Sequence, residues 1–309
     1  MFVNGAPAGE MAASGAFGFP SATAAQWFAI GGDASKSTTA QYALDGEVCV
    51  ARMYAHALTR DEAWLLFDDI KTANYTPDPS VVAPVASLFD VAFNEDGTAT
   101  DVSANQTTIS QGTTLPKVAM NDTYHRLSAT FDGTTQCFYR IDYAEDDAIK
   151  QAMQNGFALE TIYRTENLKD VCPLSAQESG GAGIEQATGG QLQFWCRVGG
   201  GYKTVKTNVT VETGRYYHVV AIYDKENEMC RVYVDGQPAG EVAAAGSFGF
   251  PPKTEAHWFG IGGDAHPSGA AQFCLTGEIV VARMYDHALS RDEAYRLYEK
   301  AEQSKQAAE

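Results

Sequence analysis

The chain has 309 residues, 22 of them basic and 39 acidic, for a formal charge of -17 at neutral pH, and is long enough for one large or two medium domains. That charge, with no run of Lys or Arg, excludes a nucleic-acid surface, and no stretch approaches the roughly 20 apolar residues of a helical membrane span. With 15 Tyr, 15 Phe, 29 Gly and only 20% charged residues, the composition is that of a turn-rich β protein rather than a helical bundle or a disordered chain.

From the N-terminus, Met1 to Gly5 lack the basic and apolar regions of a signal peptide, so export would be encoded upstream. Val3–Ile70 then matches Val234–Ala301 without a gap. Shared strings include Phe-Gly-Phe-Pro at Phe17 and Phe248, Trp-Phe at Trp27 and Trp258, Ile-Gly-Gly-Asp-Ala at Ile30 and Ile261, and Ala-Arg-Met-Tyr at Ala51 and Ala282. Roughly three positions in five are identical, over a length beyond the periods of solenoid repeats, so this is a duplicated domain segment. The second copy follows a long strand-like stretch from Ser87 onward that the first copy lacks. The organisation predicted is residues 1–75 as the C-terminal third of one domain, 76–86 as a stiff Pro-rich linker, and 87–309 as a complete domain. Thr59-Arg60-Asp61-Glu62 reads as a capping box opening a helix in the first copy.

Within the complete copy, period-two alternation or short apolar runs predict strands over Arg126–Phe131, Phe157–Tyr163, Leu192–Val198 and Gly277–Met284, with a short helix around Asp146–Gln154. Tyr216–Asp224 and Met229–Val234, joined by Lys225–Glu228, predict an antiparallel hairpin. Ser290-Arg291-Asp292-Glu293 is a second capping box. Ala294, Leu297 and Tyr298 follow it at helical spacing, so one face of that helix is predicted to pack on the sheets. The six cysteines show no CxxC spacing, and Cys49 aligns with Val280 while Cys274 aligns with Ala43. Thiols that exchange with small hydrophobes predict buried free cysteines. Trp27 and Trp258, present in both copies, are expected in the core.

Tyr217-His218-Val219-Val220-Ala221-x-Tyr223-Asp224, Tyr233-Val234-Asp235-Gly236, Ile261-Gly262-Gly263 and the run from Gly277 to Glu293 resemble the concanavalin A-like lectin/glucanase superfamily. Among its members the sequence is most similar to laminin-G-like domains of bacterial surface and secreted proteins, and Leu88 to Asn105 resembles the start of such a domain. The resemblance implies an all-β, antiparallel jelly-roll β-sandwich with short peripheral helices. It implies an extracellular or cell-surface location. It says little of function, because sites are grafted onto such folds.

Glucanases of this superfamily carry a Glu-x-Asp-x-Glu strand, which this sequence lacks. Gly-x-Ser-x-Gly, His-Glu-x-x-His and phosphate-loop patterns are also missing, so no catalytic residue is assigned and the chain is expected not to be an enzyme. Sugar binding needs an exposed aromatic beside amide or charged groups. Glu185, Gln186, Trp195, Tyr202 and Lys203, next to glycine-rich turns expected to form a flexible rim, are the candidates, although Trp195 in the core fits the pattern as well. Superfamily members often hold a structural Ca2+ through oxygen ligands. Asp96, Asp101 and Asn105 are the candidates here, and a polar turn closed by Asx hydrogen bonds is the competing explanation.

The expected function is a non-catalytic binding or adhesion module of a longer exported bacterial protein, recognising carbohydrate. The alternatives are a ligand-free structural spacer, a protein-interaction appendage of an upstream hydrolase, and, furthest from the pattern, a glucanase. The partner is carbohydrate or a surface protein, with no nucleic acid and no membrane insertion. The truncated first repeat is expected to dimerise or to dock within the chain.

Overall fold

A computed structural model describes residues 77–306 without interruption and, before them, only 2–3, 6–7, 30, 44, 51–54, 57–58, 63, 66 and 75. The chain divides into two units, Met1–Tyr75 and Thr76–Glu309. In the first, β1 (Phe2–Val3) pairs antiparallel with β2 (Ala6–Pro7). The Thr59 capping box, Trp27 and Cys49 lie outside the described residues.

The second unit runs β3 (Phe89–Phe93), β4 (Ala99–Asp101), β5 (Ile109–Gln111), β6 (Lys117–Asn121), β7 (Arg126–Asp132) and β8 (Tyr139–Asp142), then helix α1 (Asp147–Asn155). It continues through β9 (Phe157–Thr165), β10 (Val171–Ser175), β11 (Ala182–Gln186), β12 (Gln191–Val198), β13 (Gly201–Thr210), β14 (Tyr216–Asp224), β15 (Met229–Val234), β16 (Gln237–Ala243), β17 (Trp258–Ile261) and β18 (Thr276–Tyr285), and closes with helix α2 (Arg291–Gln306). Two antiparallel sheets result. The smaller has seven strands in the order β13-β12-β11-β10-β17-β8-β5, and the larger has nine, running β16-β15-β14-β9-β18-β3-β4 with β7 on β18 and β6 on β7. They stack face to face as a jelly-roll β-sandwich.

Side chains alternate across each strand. Phe157, Leu159 and Tyr163 of β9, Phe194 and Cys196 of β12, and Ile184 of β11 point between the sheets into one apolar core. The β12–β13 hairpin turns through Gly199 and Gly200, at φ 62° and 80°, the pair of positive φ values that a two-residue hairpin of the right twist requires. The β14–β15 hairpin has the register Asp224↔Met229, and Asp224 braces its turn by accepting from the backbone and side-chain N–H groups of Asn227.

The outer face of the larger sheet lies under α2, where Ala158, Val220, Ile222 and Tyr285 pack with Ala294 and Leu297. The Ser290 hydroxyl accepts from Glu293 N at 3.2 Å while the Glu293 carboxylate accepts from Ser290 N at 2.8 Å, the reciprocal pair of a capping box. α1 opens on the Asp146 side chain, which accepts from Ile149 N. The Pro-rich stretch expected as a linker is fixed to α2 over 78–81: Arg296 donates to the carbonyls of Val81 and Asp78, and Asp78 N donates to Asp292. Farther along, Ala86 is buried in the same cluster.

Cys137, Cys172, Cys196 and Cys230 are buried free thiols, and Cys274 is a half-buried one. Trp258 is buried, stacked on Phe138 at 5.4 Å. Among the described residues, no helix is long and apolar enough to cross a membrane.

Candidate ligand-binding face

Among the described residues, no helix packs on the outer face of the smaller sheet. Because Ile184 and Phe194 point inward, alternation sends Gly183 and Glu185 of β11 and Gln193, Trp195 and Arg197 of β12 outward. Registers place these residues side by side: Gly183↔Trp195, Glu185↔Gln193 and, on β13, Tyr202↔Arg197. Trp195 and Tyr202 meet edge to face at 5.7 Å and 85°, with the Arg197 guanidinium 5.3 Å from the Tyr202 ring centre. Gln193 Nε2 donates to Glu185 Oε1 at 2.8 Å.

The face continues across β10, where Ser175 opposes Gly183, into the segments around Glu178 and Asp264. Gln272 Nε2 donates to Glu178 Oε1 at 2.5 Å and lies 3.4 Å from Asp264 Oδ2, so one amide ties both carboxylates. Asp264 also accepts from Gln177 N at 2.8 Å. Burial pushes the Glu178, Glu185 and Asp264 carboxyls above their ordinary range, and the negative charge of Asp264 adds to the effect at the two glutamates. Two donors on this face, the Trp195 indole Nε1–H and the Gln177 side-chain amide, are shut from solvent with no partner. Each unmet donor costs about 1–3 kcal/mol, and an acceptor would reach it only after neighbouring side chains shift. A side chain at Gly183 would come within 2.0 Å of Ser175 Oγ and 2.7 Å of Gln177 Nε2, so glycine there lets these polar groups sit against the sheet.

Of the residues singled out in the sequence, Glu185, Trp195 and Tyr202 share a face. Gln186 and Lys203 do not share it. Gln186 is fully buried and donates to the carbonyls of Asn167 and Lys169, and Lys203 pairs with the inward-facing Cys196, on the other side of the sheet. The rim packs closely at Gly180 and Gly181. Tyr202 donates its hydroxyl to Gly180 O at 2.8 Å, and a Cβ on Gly181 would lie 1.8 Å from Ala176 O. Gln193 and Arg197 were legible from alternation with Trp195. Gln177, Glu178 and Gln272 arrive from other segments and carried no local signal.

Asp96, Asp101 and Asn105 are each engaged by hydrogen bonds within the chain. Asp96 sits in the β3–β4 turn, bonded to the N–H and hydroxyl of Thr98. Asp101 ends β4 and accepts from the N–H groups of Asp90, Ser103 and Thr107 and from the Ser103 hydroxyl. Asn105 donates to Leu88 O and Asp146. Among the described residues, no group of three or more His, Cys, Asp or Glu is placed to hold a metal ion. An open acidic groove beside α1, lined by Asp142, Glu145, Asp146 and Asp147, lacks an aromatic platform. Its Asp142 is paired with Arg140, and its Asp146 caps the helix.

Residues 144–294 match the family model described as the concanavalin A-like lectin/glucanases superfamily. No curated protein matches the chain. Among solved structures, the binding domain of Paraclostridial Mosquitocidal Protein 1 is similar with a TM-score of 0.54 and 12% identity, over 69% of this chain and 52% of that one. The binding domain of botulinum neurotoxin DC is similar in its complex with SialylT and in its complex with rat synaptotagmin II, each with a TM-score of 0.52, 10% identity, and coverage of 70% and 52%. This chain therefore spans about half the length of the structures it matches. At such identities the likeness shows the fold.

Proposed function

We propose, from the premise that the chain, matched over residues 144–294, carries a domain of the concanavalin A-like lectin/glucanase superfamily, that it is a non-catalytic module of an exported protein. On this reading it binds carbohydrate on the outer face of its smaller sheet. The observation that carries the proposal is the placement of Trp195 and Tyr202 on the same face as the Glu185–Gln193 pair. Sugar C–H faces pack on rings while hydroxyls exchange hydrogen bonds with amides and carboxylates. The similar structures support the reading in kind, since one is a binding domain in complex with SialylT.

Glycoside hydrolysis needs two carboxyl groups flanking the scissile bond. Asp264, the neighbour of Glu178, is only 2% exposed and is occupied by Gln177 and Gln272, so the pair has no acid–base geometry toward a substrate. Protein binding is the second reading, favoured by the similar domain in complex with rat synaptotagmin II.

A glycan array probed with the whole chain tests the proposal. Binding is expected in the wild type and at least about tenfold weaker in Trp195→Ala, the loss of one stacking contact with its hydrogen bond. Silence across the array would refute the carbohydrate reading and shift the weight to a protein partner. The same array run in calcium and in chelator is expected to give equal signals, because the Asp101 oxygens are already taken by protein donors. Binding lost on chelation would show that an ion belongs to the site.

A further inference from the structure

The polar groups of this face are unevenly divided. Glu185 and Glu178 present carboxylate oxygens. Asp264 lies behind them, and Asp170 and Glu255 add negative potential at Glu185 and Glu178 respectively. The opposing cations are Arg197, held over the Tyr202 ring, Lys206, opposite Gln193, and, farther along the face, Arg140, paired with Asp142. The unpaired groups are the Trp195 indole Nε1–H and the Gln177 amide, both shut from solvent.

A sugar hydroxyl both donates and accepts. It can give its proton to Glu185 or Glu178, and it can accept from the indole or the amide once neighbouring side chains shift to admit it, so a hydroxyl suits both kinds of partner on the face. A carboxylate or sulfate only accepts. It would leave the acidic oxygens unmatched, lose their hydration, and meet like charge at close range in a partly buried setting where screening is weak.

We infer that this face, on the binding reading proposed above, selects uncharged hydroxyl-rich glycans and rejects their sialylated or sulfated forms. Charge placed against a ligand in this way is a common source of selectivity, since discrimination comes from the repulsive element as much as from the attractive one.

The test pairs one oligosaccharide with its own sialylated form and measures both affinities for the whole chain by titration calorimetry. The neutral form is expected to bind at least about tenfold more tightly, a difference of one unfavourable charge contact. In Glu185→Gln, where the amide can still accept from Gln193, the ratio is expected to shrink by several-fold. Equal or tighter binding of the sialylated form would overturn the selectivity while leaving the carbohydrate reading standing. An unchanged ratio in the variant would also overturn it, because the discrimination would then not come from this face. Binding of neither form would overturn both.

Discussion

Replacing Arg283 with methionine is expected to lower folding stability by about 3–5 kcal/mol, the usual cost of leaving a buried charge without its partner. Arg283 donates to Asp90 at 2.8 Å and lies 3.3 Å from Glu160, whose side chain is 1% exposed. His218 Nε2 and the Tyr285 hydroxyl complete the cluster at 2.9 and 2.5 Å from the Glu160 oxygens. α2 lies over it, with the Tyr298 ring 6.0 Å from His218. Removing the guanidinium strands a carboxylate between sheet and helix, where water cannot solvate it.

The same cluster sets an acid limit. Burial alone would raise the Glu160 pKa, but the charge of Arg283, with His218 and Tyr285 bonded to the carboxylate, outweighs burial and holds it well below the carboxylate range. The folded value lies below the unfolded one, near 4.3. Its stabilisation is therefore complete above about pH 5 and is lost as pH falls from about 4 toward the folded value. Glu278 acts in the same direction: burial raises its pKa, but bonds from Ser128, Tyr216 and Asn121 and the charge of Arg164 lower it further. Urea unfolding at several pH values checks both points. An Arg283→Met variant within 1 kcal/mol of wild type at pH 7, or a wild type as stable at pH 3 as at pH 7, would contradict the account.

The second large effect concerns the repeat. Residues 1–75, expressed alone, are expected to show no cooperative thermal transition. In the complete copy the equivalent segment supplies β16, β17 and β18, and none of these pairs with another. β16 pairs with β15, β17 with β10 and β8, and β18 with β9, β7 and β3. The first copy keeps the residues that those partners bury. Ile30, Leu44 and Met53 are 72%, 54% and 77% exposed, whereas their counterparts Ile261, Leu275 and Met284 are at 0%. Side chains selected for a sandwich core cannot close one without strands like those of residues 87–233. A second copy of this chain is one source of such strands, and association of the fragment with the whole chain would express that need. A monomeric 1–75 fragment that melts cooperatively would contradict this.

Local rules made much of the fold legible. The β14–β15 hairpin, the Ser290 capping box and the Asp146 helix start each depend on residues a few positions apart, and each formed where its residues stand. The buried Glu160–His218–Arg283 cluster was invisible because its members lie on three strands joined only by the sheet. The candidate face was half legible for the same reason. Alternation about Trp195 carries Gln193 and Arg197, but it also forbids Glu185 and Gln186 from sharing a side. Gln177, meanwhile, meets Asp264 across 87 positions of sequence. Asp101, for its part, has the residue pattern of an oxygen ligand, yet four donors occupy its carboxylate.

The most direct measurement on the binding face is a titration of a neutral oligosaccharide into the 15N-labelled chain, followed at the indole N–H resonances. The Trp195 resonance should shift with saturation while that of Trp258, buried among Phe138, Ala256, Ala265 and Ala271, stays fixed. Saturable binding that leaves the Trp195 indole unmoved would place the ligand elsewhere and contradict the account.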